Sequence, residues 1–284
     1  MKSKIWKILK ITLYVLILAL VAFLIRVSLL QPSNNKTWEE NSKILPYFTI
    51  ATSTVTIDNL RDWRYKKGEV ISKEYYRDTF DLDKIEKMYL VFNPFSQYEA
   101  VAHSFLVFEF NDGKTVGVSV ESRREEGETY SVVQGLLNKY ELWYAYGSVG
   151  DLIGARVFYS DEDLRMYPIV VDRNLVRGVF VDIAKTAQDL ESHPRFYNTI
   201  TSNCTNVLAE SANKVKEGSV PWNKARILTG YADNHLHSLG YIKNDEPFEK
   251  VYEKARVDLF LREKFGGVEN YTNEEFWNYL KVRI

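Results

Sequence analysis

The apolar run from Ile11 to Ile25, completed by Val27-Ser28-Leu29-Leu30, leaves the chain fewer options than any other stretch. At about 20 residues it is long enough to cross a bilayer as a helix. Lys2, Lys4, Lys7 and Lys10 all precede it, so the positive-inside rule places the N-terminus in the cytoplasm and everything after Gln31 outside. Arg26 interrupts the run, which its long side chain tolerates by reaching to the outer interface. No small-x-small cleavage site follows, so a retained anchor is expected over a cleaved signal peptide. No cysteine lies near the anchor to carry a lipid.

Residues 1–30 therefore read as a cytoplasmic stub and signal anchor in the inner membrane. Residues 31–45 read as a polar tether that spans at most on the order of 50 Å at about 3.5 Å per residue. Residues 46–220 form the main extracytoplasmic domain, and 221–284 a helical extension packed on it. The balance of 37 basic and 38 acidic residues gives no electrostatic footprint for nucleic acid. There is no phosphate-cradling glycine loop, and no cofactor is implied. His235-x-His237 lacks a nearby third ligand and reads as structural, so no metal site is expected. The 19 Tyr, 15 Phe and 6 Trp suit wet interfaces and ordinary cores equally well.

Thr54–Ile57 alternates as a strand does. Leu82–Lys87 reads as a helical turn, and Lys87–Pro94 as a strand stopped by the proline. His103–Phe110 and Thr115–Glu121 flank Asp112-Gly113, a hairpin signal. Further strands are expected at Glu141–Tyr146, Arg156–Tyr159 and Arg165–Val171. Helices are expected at Asn174–Leu190, Cys204–Val215, Phe248–Lys264 and Thr272–Val282. Strands come first and helices later, the pattern of an α+β fold with an antiparallel sheet packed on helices.

Cys204 is the only cysteine. In an oxidising compartment an unpaired thiol is a liability unless it is buried or used. It opens a helix after the polar segment Tyr197–Asn203, where the dipole and unpaired N–H groups favour thiolate. His103 lies in an apolar strand, and imidazole is the natural proton carrier for a thiol. A two-residue Asp112-Gly113 loop sets His103 opposite Ser122; a one-residue bulge brings Glu121 or Arg123 there instead. Glu121 is the first candidate to orient the imidazole and Ser119 the second. The bland alternatives are a buried structural cysteine and a Glu121 paired with Arg123 or Arg124 on a solvated face. Arg123 could also meet a phosphate head group.

His103-Ser104-Phe105-Leu106-x-Phe108, then Ser119–Glu125, then Phe196-Tyr197-Asn198-Thr199-x-x-x-Asn203-Cys204-Thr205 resemble the Lnb-type periplasmic domain, a bacterial lipoprotein N-acyltransferase family. Asn59-Leu60-Arg61-Asp62-Trp63-x-Tyr65 and the spaced pair Asp151 and Arg156 fit the same pattern, and the likeness covers roughly residues 55–210. The order His-then-Cys is also similar to the permuted papain-like core of NlpC/P60 and lecithin:retinol acyltransferase proteins. The resemblance implies Cys204 as nucleophile, His103 as general base, and Glu121 or Arg123 less securely placed. It also implies a phospholipid or diacylglyceryl acyl donor and a lipoprotein N-terminal amine as acceptor, both held in the bilayer. Asn203 and Tyr197 are candidates to assist a backbone N–H at the oxyanion. The Asp151 and Arg156 pair reads as structural. An NlpC/P60-type cysteine peptidase or amidase and a non-catalytic envelope protein are the competing readings.

Overall fold

The computed structural model describes residues 2–95, 98–266 and 271–284. Helix α1 (Lys2–Leu29) is followed by the short α2 (Glu40–Lys43). Six strands then run in sequence: β1 (Tyr47–Ile50), β2 (Thr54–Lys66), β3 (Glu69–Asp81), β4 (Ile85–Pro94), β5 (Ala102–Phe110) and β6 (Thr115–Arg123). Next come α3 (Val132–Leu136), β7 (Glu141–Gly147), α4 (Val149–Gly154), β8 (Arg165–Pro168), α5 (Arg173–Ser192) and α6 (Cys204–Val215). The C-terminal part holds α7 (Ala232–Ser238), α8 (Phe248–Lys254), α9 (Asp258–Phe265) and α10 (Asn273–Lys281). The fold is α+β, as the element order suggests.

The sheet runs β1-β2-β7-β6-β5-β4-β8, with β3 on the far side of β2. It is mixed where an antiparallel sheet was expected, because β2 and β7 meet in parallel at Arg61 and Gly147. Gly147 suits that junction: a Cβ there would stand 2.7 Å from the Arg61 carbonyl oxygen. One face packs on α5 and α6 through Phe108, Val118, Phe180 and Val207. The other packs on α4, α9 and α10 through Trp63, Phe105, Leu261 and Trp277. The sheet thus sits between two apolar layers, and the C-terminal helices complete both, α9 and α10 on one face and Ala232 of α7 and Val251 of α8 on the other.

Several local expectations change. Strand β2 continues to Lys66 and pairs with β3 through a turn at Gly68, whose φ of 70° suits glycine. Residues 82–84 form a turn, with β4 beginning at Ile85, in place of a helical turn. Ala155–Tyr159 is a π-helical turn continuing from α4 and not a strand; Val157 and Phe158 bury from its inner side. The long helix expected over Phe248–Lys264 is broken into α8 and α9. The main chain between them pairs with β8, Met166 N–H donating to Ala255 O and Val257 N–H to Leu164 O.

The β5–β6 hairpin turns on three residues, 111–113, and not on two. Phe110 and Lys114 close the ladder, and Gly113 takes φ 87°. Phe105 therefore faces Ser119, and the same register carried two residues further sets His103 across from Glu121.

Residues 31–45 are packed on the domain. Ser33 N–H donates to Glu141 and Asn34 Nδ2 to Leu190 O, while Trp38 is buried and bridges to Glu125. Arg123 is spent on this strap: it donates to Ser42 O and Asn34 Oδ1 and stacks over Trp38. Arg26 of α1 donates to Leu137 O.

At the parallel junction Asp151 is fully buried. Its carboxylate accepts from Arg61 through Nε and Nη2, from the Trp63 backbone N–H and from Tyr65 OH, all within 3.2 Å. Replacing it by alanine strands a buried guanidinium, a loss of about 3–5 kcal/mol. For a domain of this size that corresponds to a fall in Tm on the order of 10 °C, measurable by calorimetry.

Candidate active site

Asn203 ends the polar segment as the N-cap of α6, its Oδ1 accepting from Asn206 N–H, so Cys204 is the first residue of the helix. The Asn203 Nδ2 donates to Thr199 O and Arg226 O. Its amide therefore fixes two loops around the thiol and has no hydrogen left to offer. The Cys204 thiol is free and buried. The His103 side chain and the Ser104 main chain lie near enough to favour its thiolate form, and its sulfur stands 4.0 Å from Thr205 Oγ1.

His103 is held from its other side. Ser119 Oγ donates to Glu121 Oε1 at 2.7 Å and lies 2.7 Å from His103 Nε2. A hydroxyl has one hydrogen, so Ser119 accepts from Nε2–H. Glu121 Oε1 itself stands 3.1 Å from Nε2. Nδ1 is then the nitrogen available to the thiol. Arg156, from the π-helical turn, donates to Glu121 Oε1 at 2.9 Å. Glu121 thus lies in the site and not on a solvated face; Arg124 pairs with Glu39 instead.

Burial opposes charge on the imidazole, yet the Glu121 carboxylate and the contact with Cys204 outweigh it and push the pKa up to about 9 against a pull down from Arg156. Burial would raise Glu121, but His103 and Arg156 hold it well below the usual carboxylate range. Burial also works against a thiolate at Cys204; contact with His103 wins, and the thiol is lowered. These directions together favour a thiolate–imidazolium pair. Tyr197 lies buried beside the thiol with its hydroxyl 3.4 Å from that of Tyr130. Burial and the nearby sulfur keep it protonated, a donor at neutral pH.

A cleft of about 1280 Å3 opens over these groups, above the roughly 300–1,000 Å3 of a drug-sized site. Its lining includes His103, Glu121, Arg156 and Cys204, together with Trp63 and Trp143. Among the described residues no group of His, Cys, Asp and Glu could hold a metal ion. His237 meets Glu246 O from α7.

Residues 72–231 match the family model of the Lnb N-terminal periplasmic domain. The chain belongs to that family. No curated protein and no solved structure matches it. The Lnb match extends past the Cys204 helix to Thr229 and Gly230, which sequence reasoning passed over. Thr229 Oγ1 both donates to Ala102 O and accepts from Ala102 N–H, pinning the strand one residue before His103. A Cβ on Gly230 would fall 1.9 Å from Glu99 O, so only glycine allows that approach. Arg156 was legible only as a companion of Asp151. The structure separates them, Asp151 binding Arg61 and Arg156 binding Glu121.

NMR of histidine-labelled protein should find the His103 imidazolium titrating at about 9. Glu121→Gln removes the chief raising influence and moves that titration down; Arg156→Ala removes an opposing charge and moves it up. Because the folded pKa lies above the unfolded value of about 6.5, the imidazolium's contribution to stability is fully present below pH ~6.5. It is lost as pH rises through about 9, and Glu121→Gln shrinks that loss in denaturant titrations.

Proposed function

We propose that the protein is a membrane-anchored thiol acyltransferase, with α1 spanning the inner membrane, its N-terminus cytoplasmic and the Lnb-type domain periplasmic. Cys204 carries the acyl group, and the N-terminal amine of a bacterial lipoprotein receives it. The observation that carries this reading is a lone buried thiol sharing one cleft with an imidazole that Glu121, Ser119 and Arg156 hold in one orientation. A cysteine at a helix start against a His-bearing strand also supports a permuted papain-like core.

In the first half-reaction the thiolate attacks the ester carbonyl of a phospholipid or diacylglyceryl donor, and the C–O bond breaks. His103 gives its Nδ1 proton to the departing alcohol, leaving an S-acyl enzyme and neutral imidazole. In the second, the amine attacks the thioester, His103 takes the amine proton, and the sulfur leaves as thiolate. The amide product departs with the thiolate–imidazolium pair restored. The first-turn N–H groups of α6 and the Tyr197 hydroxyl are the donors suited to the tetrahedral oxyanion. Asn203 supports them as the cap. Glu121 acts as orienter, Ser119 as its relay, and Arg123 as the β6 anchor of the strap that walls the cleft.

Intact mass of the detergent- or nanodisc-held protein, incubated with phospholipid and then a diacylated lipopeptide, tests the reading. The expected result is a hydroxylamine-labile acyl adduct on wild type that moves to the peptide amine. Cys204→Ser and His103→Ala should lower transfer on the order of a thousandfold or more. Absence of adduct and transfer, with cleavage of cell-wall peptides instead, would assign the same groups to a peptidase.

A further inference from the structure

Among the described residues, the Cys204 cleft has an apolar edge that the rest of the protein leaves exposed. Val132 and Val133 of α3, Ile200 of the pre-helix loop, and Ile227 and Leu228 beyond α6 are each more than a third exposed. All but Val133 line the cleft. They belong to one surface, because the segments that carry them are hydrogen-bonded together. Thr199 Oγ1 donates to Val132 O and Asn198 Nδ2 to Leu136 O, joining the pre-helix loop to α3. Asn203 Nδ2 donates to Arg226 O, joining that loop to Ile227 and Leu228. Single exposed apolar residues need no explanation, but a contiguous patch of them beside one cleft does.

The anchor says what covers them. Arg26 lies four residues before Leu30, so about 6 Å below the end of the apolar run at 1.5 Å per residue. Its guanidinium donates to Leu137 O at 2.8 Å, and Leu137 directly follows α3. The bond therefore brings α3 to the level of the last turn of the span, the boundary between head groups and hydrocarbon. Interfacial segments immerse their apolar faces about 5–10 Å at that boundary. The strap between anchor and domain is itself packed, through Ser33 and Asn34, so the domain keeps this orientation.

We infer that this apolar edge is a lipid-docking surface: Val132, Val133, Ile200, Ile227 and Leu228 dip into the outer leaflet, and the Cys204 cleft opens onto the bilayer and not into bulk water. The inference rests on α1 spanning a membrane and is independent of the chemistry at Cys204.

The test uses the full chain in nanodiscs of phosphatidylethanolamine and phosphatidylglycerol, with Cys204→Ser removing the native thiol. Val133→Cys and Ile200→Cys each carry an environment-sensitive fluorophore, and folding is checked by circular dichroism. Asn111→Cys, in the turn at the opposite end of β5, serves as control. Immersion predicts blue-shifted emission at 133 and 200 that is mostly lost with spin-labelled phospholipid and resists aqueous iodide, and the reverse at 111. Labels at 133 and 200 that iodide quenches as fully as the one at 111, without response to lipid quencher, would overturn the proposal. Because every variant lacks the thiol, the outcome is unaffected by whether acyl transfer takes place.

Discussion

A single buried carboxylate organises the way this sheet meets its helices. Asp151 sits at the first turn of α4 and gathers Arg61, the Trp63 amide and Tyr65 from alternate positions along β2. Water cannot replace those partners, so β2 and α4 are locked where the sheet switches to its one parallel pairing. The π-helical turn that continues α4 inherits its position from that lock, and from it Arg156 reaches Glu121. The order of dependence therefore runs from Asp151 through Arg156 and Glu121 to His103 and the thiol. Charges far apart in sequence act in series, each fixing the geometry of the next.

The site gains a second kind of order from its surroundings. The imidazole is almost removed from water, where an isolated cation would be unstable, yet it is flanked by a carboxylate that is itself neutralised in part by Arg156. Such a balance keeps a proton on the ring without tying it irreversibly to the glutamate. Asn203 and Thr229 play a mechanical part, one joining loops on either side of the thiol, the other holding the strand that carries the imidazole.

Much of this was readable from residue type and spacing. Cys204 at a helix start and His103 in a strand follow from local pattern, because capping and alternation are short-range properties, whereas Glu121 and Ser119 were legible only as candidates while the hairpin register stayed open. What escaped depends on distant partners. Arg156 lies in a stretch whose apolar residues look like a strand, and only packing against α9 and α10 makes it helical. The break between α8 and α9 arises from main-chain pairing with β8, which a helical period cannot reveal. Thr229 and Gly230 matter because a loop more than a hundred residues earlier passes within contact, and no local pattern records that. The strap read as a tether because polar composition reports solubility and not whether a segment is bound.

The turn at 111–113 has a consequence out of proportion to its place. It lies eight residues from His103, roughly 25 Å along the strand at about 3.3 Å per residue, and touches neither the thiol nor the anchor. Yet its length determines the parity of everything that follows on β6. A deletion there that kept the three-residue turn would pair Phe110 with Thr115, present Ser122 to the imidazole and turn Glu121 to the opposite layer. Insertions and deletions in surface turns are ordinarily the cheapest changes a lineage can make. Here one of them would unseat a charge at the far end of the ladder, so the hairpin's residue count is held by the chemistry it serves.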